Sequence, residues 1–438
     1  MPALNSYCEK TRKEFHRIVL DEAANPNNLK CSNSDFSRNR ILSLEDVALL
    51  PYQVDDRSIN RCLPYLPRSL SAVSESAISQ ARQKISSSFY ENVFVQFNAS
   101  LDRTDRSTFK GFRIIAVDGS ELRNPPDGKD MSTHGGSKKG GKHHFFHANP
   151  AYDVLSHQYV DVIIQPGSEK NEDKALLELV ARNEYQDAIF TCDRGYEGLM
   201  TFYRLVQAGT KFVIRIKDED SAISIVKHYP TPDTDEYDIP FNVTLTSKNN
   251  KHVKDNWDTY KYISSYPRHP EFTDRVAELP LHGRIVRFKA ASEGHESIMT
   301  VFTNLKSEEF STDEIKEIYR LRWQIEISFR DLKDKIGLHH IHARKKDLVI
   351  GEVYAKMTIY NLFSRIRNAI ERSARFQKIH EEVRKRKWKQ KADFACLMAV
   401  VHKYLWDTDS YSTEELIGLL IRKRQCVRPG RADKRKLK

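Results

Sequence analysis

The chain has 438 residues, 39% hydrophobic and 30% charged, with a net charge of +11 at pH 7. That length holds two to four domains of about 100–200 residues each, and the positive balance points to a polyanionic partner, nucleic acid first, although a merely basic soluble protein has the same balance. The six cysteines, Cys8, Cys31, Cys62, Cys192, Cys396 and Cys426, form no Cys-x-x-Cys pair and are too sparse for a disulfide scaffold, so they read as free thiols in a reducing cytoplasm. The N-terminus lacks an apolar signal core, and no run reaches the ~18 apolar residues that cross a bilayer; secretion and membrane insertion are not expected.

Residues 1–105 read as mostly helical. LSLEDVALL (42–50) is a short amphipathic segment, and the stretch after Ser74 predicts a helix with Ala77, Ile78, Ala81 and Ile85 on one side. Arg82 and Lys84 lie off that side, as groups that touch a DNA backbone would, and Lys10, Arg12, Lys13, Arg17, Arg38 and Arg40 are scattered before it. A helical DNA-binding region is the expectation, with a plain helical cap on the next domain as the alternative.

The pattern changes at residue 106. FRIIAVDGS (112–120) has the length and branched composition of a buried strand, with Asp118 at its C-terminal end, where open sheets place functional groups. A strand pair is expected around 149–167 and a helix from Asn171 to Asn183. DAIFTCDRGY (187–196) then repeats the first arrangement: apolar strand, terminal Asp193, turn at Gly195. HGGSKKGGKHH (134–144) imitates a phosphate-binding loop, but His143 stands where Ser or Thr is needed and no buried strand precedes it; a flexible basic loop is the expectation.

KFVIRIK (211–217) is a further strand, and residues 218–296 hold short β-like pieces that read as an insertion. SIMTVFTNL (297–305) is expected to return to the main sheet. One long helix is then predicted, opened by a capping box of Ser311 and Glu314 and stopped at Gly337. Ile318, Leu321, Ile325, Leu332 and Ile336 share an apolar arc; Tyr319, Arg322, Glu326 and Lys333 share the adjacent one. A carboxylate flanked by two cations and a phenol suits a hard cation and a phosphodiester. A solvated face on which Glu326 pairs with Arg322 and Arg330 is the plainer alternative.

His339, His340 and His342, with His143, His144 and His147, lack the spacing of a zinc site, and none is expected. VYAKMTIYNLFSRIRNAI (353–370) reads as a second long helix on the core. Residues 371–391 carry a basic run (Arg384, Lys385, Arg386, Lys387, Lys389, Lys391) around Trp388. DFACLMAVVHKYLW (393–406) is apolar enough to pack against a partner subunit, and the tail from Arg422, with nine Lys or Arg and one Asp (Asp433), is expected to add non-specific DNA affinity.

Tyr319, Arg322, Glu326 and Lys333 match a Tyr-x2-Arg-x3-Glu-x6-Lys signature; Asp118 stands in an Asp-Gly context and Asp193 in Asp-Arg-Gly-Tyr. With YDVLSH, IGL and YNLFSRI, these motifs make the chain resemble the bacterial DDE transposases of the insertion-sequence-four family over roughly residues 40–370. The resemblance implies an α/β fold: an RNase H-like mixed-sheet catalytic core at 106–220 and 297–370, a β-rich insertion at 221–296, a helical DNA-binding region at 1–105, and a basic helical C-terminal region and tail at 371–438.

It further implies a cytoplasmic, nucleoid-associated bacterial enzyme that performs cut-and-paste transposition by end nicking, hairpin formation and opening, and strand transfer. Asp118, Asp193 and Glu326 would be catalytic and would hold two divalent ions per active site, Mg2+ or alternatively Mn2+. Tyr319, Arg322 and Lys333 would grip phosphates, and Trp323 would stack a flipped base. Trp257 is a second stacking candidate, with core packing as its expected role. The implied partners are double-stranded transposon ends, target DNA and a second subunit in a homodimeric synaptic complex. The rivals are a transposase-derived DNA-binding protein that does not cut and a nuclease that cleaves without joining.

Overall fold

The computed structural model describes residues 2–427 except 55–57, 64–65, 101–105, 129, 137–142, 183–186, 219–220, 222–223, 265–268, 274, 293–294, 340, 385–388 and 407–411. Most of the predicted basic loop at 134–144, His340, the centre of the basic run around Trp388, and the tail beyond 427 therefore lie outside the described residues.

Among the described residues six α-helices open the chain: α1 (Pro2–Ala23), α2 (Leu44–Gln53), the single turns α3 (Ile59–Cys62) and α4 (Arg68–Ser71), α5 (Glu75–Arg82) and α6 (Ser87–Ala99). Ser43, Ser74 and Ser86 cap α2, α5 and α6 through their side chains, which fixes where each begins. The DNA-facing role expected of Arg82 is corrected. It is 6% exposed and its guanidinium donates to the equally buried Glu352, 270 residues away. A buried arginine holding a buried carboxylate joins two parts of the fold.

The sheet is built from β1 (Arg113–Val117), β2 (Ser120–Arg123), β3 (His134–Gly135), β4 (His143–Asp153), β5 (Gln158–Pro166), β6 (Ala188–Cys192), β7 (Lys211–Ile216), β8 (Tyr237–Thr246), β9 (Tyr260–Tyr262), β10 (Glu278–Ser292) and β11 (His295–Thr303). Its order is β2-β4-β1-β6-β7-β11-β10-β8-β9, with β3 and β5 also on β4. β1, β6 and β7 run parallel, whereas β4 and β11 flank them antiparallel, so the sheet is mixed. The strands of the predicted insertion extend this same sheet through β11, which returns to β7 as expected.

Alternation along the strands divides the core into two layers. Ile114 and Ala116 face the side covered by α1, α6, α10 (Thr312–Leu321), α11 (Gln324–Arg330) and α12 (Lys346–Arg372). Ile115 and Val117 face the side covered by α7 (Glu172–Arg182) and α8 (Leu199–Gln207), with the short α9 (Lys251–Asp255) in the β-rich part. The long helix α12 is buried from Gly351 to Ile366, and Asn361 bonds both ways with the Tyr159 backbone on β5.

After α13 (Ala374–Arg384) come α14 (Phe394–Trp406) and α15 (Thr413–Arg422), with β12 (Lys389–Ala392) paired to β13 (Arg424–Val427). The expectation that 393–406 covers a partner subunit is corrected. Phe394, Leu397, Val401, Tyr404 and Leu405 are buried within this chain, and α14 meets α1 through Arg12 to the Tyr404 carbonyl at 3.3 Å. Its apolar face is already spent on α12 and α15, and Trp406 at its end packs on Phe15 of α1. No helix among the described residues is long and apolar enough to cross a membrane.

Candidate active site

Asp118 and Asp193 follow β1 and β6, which pair in parallel with Val117 opposite Cys192. The two aspartates therefore leave the C-terminal ends of neighbouring parallel strands, one residue past the last paired rung. Each turns its carboxylate back on its own loop: Asp118 accepts from the Gly119 amide at 2.9 Å, and Asp193 from the Gly195 amide at 2.8 Å.

Glu326 comes from α11, which packs against β1. The capping box of Ser311 and Glu314 is present and Gly337 ends the run at φ +87°. The single continuous helix expected between them is corrected. α10 ends at Leu321, a tight turn follows in which the Arg322, Trp323 and Ile325 amides bond three residues back, and Asp331–Lys335 widens into a π-helix. Three-residue spacing in the tight turn aligns Tyr319 with Arg322, whose guanidinium carbon lies 5.6 Å from the phenol ring. The wider turn brings the Lys333 ammonium 3.0 Å from the Glu121 carbonyl on β2, three residues after Asp118.

The four signature residues do not form a solvated face. Tyr319 is 6% and Arg322 7% exposed. Arg322 stands between the carboxylates, 2.9 Å from Glu326 Oε1 and 3.8 Å from Asp118 Oδ2. The Arg322–Glu326 pair of the plainer alternative is thus present, but its arginine is buried and also faces Asp118. Burial, and then the charge of Asp193, push the Asp118 carboxyl up to about 7 against the pull of Arg322. Burial also lowers the Lys333 ammonium and raises the Tyr319 phenol from their ordinary values. Trp323 points outward, 55% exposed. Trp257, expected in the core, is 40% exposed beside His228.

Among the described residues no three His, Cys, Asp or Glu side chains enclose a point where an ion could sit as they stand. The histidines have separate partners: His143 with Glu121, His144 with Thr133, His147 with Glu172 and His342 with Glu352. The sequence reading weighed His147 only as a zinc ligand and missed Glu172; both lie directly behind the aspartate turns. Their only signal was polar His147 and Asn149 at alternate places among the apolar residues of β4.

The family described as "Transposase DDE domain" matches residues 110–362, more than half of the chain. The chain belongs to that family. It is 32% identical to the transposase for insertion sequence element IS421 of Escherichia coli over 86 residues, 19% of this chain and 22% of that protein. The chain thus spans about a fifth of that relative's length. It is 22% identical to the transposase for insertion sequence element IS1151 of Clostridium perfringens over 331 residues, 66% of this chain and 65% of that protein. Among solved structures, a cryo-EM structure of the piggyBac transposase synaptic complex with hairpin DNA aligns with 92% of this chain and 71% of that chain, at 8% identity and a TM-score of 0.40.

Proposed function

We propose that this protein is a metal-dependent DNA transposase of the insertion-sequence-four group, with Asp118, Asp193 and Glu326 as catalytic residues and metal ligands. The observation that carries the reading is the convergence of Asp118 and Asp193 at neighbouring strand ends with Glu326 reached through Arg322. The donor set fits hard cations, because all three groups are carboxylates and Asp118 is crowded by negative charge. Two Mg2+ ions, or Mn2+, would supply charge neutralisation at the attacking and leaving oxygens of an in-line displacement.

In this reading the chain's own groups position the DNA. Arg322 forks onto a phosphate while Tyr319 fixes its plane, Lys333 adds a point charge at the β2 side, and Trp323 offers its exposed ring to a flipped base. Water opens the phosphodiester at the transposon end; the freed 3′-hydroxyl attacks the opposite strand to give a hairpin; the hairpin is hydrolysed; the 3′ end joins target DNA. The mixed sheet with α10–α12 serves as an RNase H-like core, 221–296 as the β-rich insertion, 1–105 as a DNA-binding region and 371–438 as a basic C-terminal region. The working form is a homodimer on two double-stranded ends in the bacterial cytoplasm, at the nucleoid.

One observation favours a second reading, a DNA-binding protein that no longer cuts: Arg322 already pairs with Glu326 and lies 3.8 Å from Asp118. Incubating the protein with DNA carrying its own flanking ends and Mg2+, against Glu326→Ala, separates the two. Hairpin and joined products from the wild type alone support the transposase. Tight binding without cleavage by either protein moves the assignment to the second reading, and cleavage without joining of pre-nicked ends moves it to a nuclease.

A further inference from the structure

We infer that Glu172, held by His147, is a positioning residue that locks the Asp118 and Asp193 turns at one spacing; its bearing on catalysis rests on the reading of those aspartates given above. Close approaches at the two turn glycines support this. A Cβ on Gly119 would lie 2.7 Å from Glu172 Oε1 and 2.4 Å from His147 Nε2, and a Cβ on Gly195 would lie 3.0 Å from Glu172 Oε2. One carboxylate therefore touches both turns, one oxygen against each. A side chain at Gly119 would displace His147 and Glu172, and one at Gly195 would press on Asp193 Oδ1 at 2.9 Å as well as on Glu172.

Glu172 is itself held from three directions. Its Oε1 is 3.0 Å from His147 Nε2 and 3.4 Å from the Lys170 ammonium. It is the first residue of α7, and Asn171 before it accepts from the Lys174 amide at 2.9 Å. The Gln165 amide group clasps the Asn171 backbone, donating to its carbonyl and accepting from its N–H, both at 3.0 Å. Gln165 faces His147 across the β4–β5 ladder. Asn149, two residues along β4, donates to Gln165 at 3.4 Å and accepts from the Tyr196 hydroxyl at 3.5 Å. Tyr196 directly follows Gly195, which closes the circuit. His147, Asn149 and Tyr196 are at most 1% exposed.

A buried network of close polar contacts of this kind favours one geometry. The pair of turns it fixes carries two carboxylates that repel one another, so their spacing needs an outside brace. Outer groups of this type govern how ligands meet an ion.

Hydrogen–deuterium exchange of the full-length protein tests the inference, with Glu172→Ala and His147→Ala compared with wild type. In Glu172→Ala, peptides containing Gly119 and Gly195 should both exchange about tenfold faster or more while the sheet centre stays protected. In His147→Ala, which removes the direct contact to Gly119 and one of the holds on Glu172, the first should loosen more than the second. Calorimetric binding of Mn2+ should weaken about 10- to 100-fold in Glu172→Ala, with Glu172→Gln, which keeps an oxygen and the shape, recovering most of it. Exchange in both turns at the wild-type rate in both alanine variants overturns the inference. Cleavage by wild type is scored in parallel. A wild type that fails to cleave while Glu172→Ala loosens both turns removes the transposase reading and leaves the brace; a wild type that cleaves beside an unloosened Glu172→Ala removes the brace alone.

Discussion

The Arg82–Glu352 and Arg322–Glu326 pairs each have a buried arginine, and they are opposites. Arg82 meets Glu352 at 3.2 Å, and both the ring and the amide of His342 also reach that carboxylate, at 2.6 and 3.0 Å. Burial alone would raise Glu352, but the His342 bonds and the Arg82 charge outweigh it and hold the group down at about 2. At the strand ends, Arg322 is outnumbered: it faces Glu326 and Asp118, with Asp193 beside them, and Asp118 is driven up to about 7. A balanced, closed cluster is a joint between α5 and α12. An acid-rich, half-open one stores unmet negative charge, the condition that favours binding of cations and function over stability.

The sharpest way to break the comparison is to exchange one carboxylate from each cluster. Asp118→Asn should cut strand cleavage by at least about 10^3-fold while the melting temperature stays level or rises, because one of the crowded charges is gone; gel-resolved single-turnover cleavage and calorimetry read the two effects. Glu352→Ala should do the reverse. It strands the buried Arg82 charge and should cost about 3–5 kcal/mol in denaturant unfolding, with the site geometry kept. If Asp118→Asn proved the more destabilising of the two, the distinction between joint and site would fail.

Acid sharpens the same contrast. The native pKa of Glu352 is depressed, so the stability it contributes is complete above its unfolded value of about 4.5 and is lost as pH falls through about 2. That depression corresponds to about 3 kcal/mol, which Glu352→Gln should remove from the pH dependence between pH 4.5 and 2. Equal slopes in wild type and Glu352→Gln would show that acid unfolds the protein elsewhere.

A smaller effect belongs to the packing on the joint's own helix. A Cβ on Gly351 would lie 2.6 Å from the Tyr90 ring, so α12 and α6 touch nearly backbone to ring. Gly351→Ala gains helix propensity but forces that ring aside, for a net loss of about 1–2 kcal/mol. Unchanged thermal unfolding would mean that the two helices separate at little cost.

The difference between these clusters also explains what the sequence could and could not say. Asp118 and Asp193 were legible because each ends an apolar run of strand length and is followed by a turn glycine, all of it local. Glu326 was legible through its spacing to Tyr319, Arg322 and Lys333. The tight turn at Arg322 and the π-turn at Asp331–Lys335 were not, since no proline or glycine marks them; tertiary contacts to β1 and β2 set them. Arg82 was misjudged because its partner Glu352 is 270 residues away. α14 was misjudged because an amphipathic face does not reveal whether its cover comes from the same chain. The bracing role of His147 and Glu172 escaped notice because a brace leaves no spacing of its own.

Trp323 carries the smallest expected effect. It sits in the tight turn between α10 and α11, one residue after Arg322, with more than half of its surface in solvent. A residue so placed contributes little to packing, so Trp323→Ala should change stability by less than about 0.5 kcal/mol. If the ring stacks a base drawn out of the duplex, its loss should cost about 1 kcal/mol, the low end for base stacking, or about fivefold in rate. The loss should fall on the hairpin step alone, because the first nick needs no extruded base. Timed single-turnover assays that resolve nicked from hairpin DNA measure both rates. A nick slowed as much as the hairpin would make Trp323 a general DNA contact, and neither slowed would leave its exposed ring without a role in cleavage.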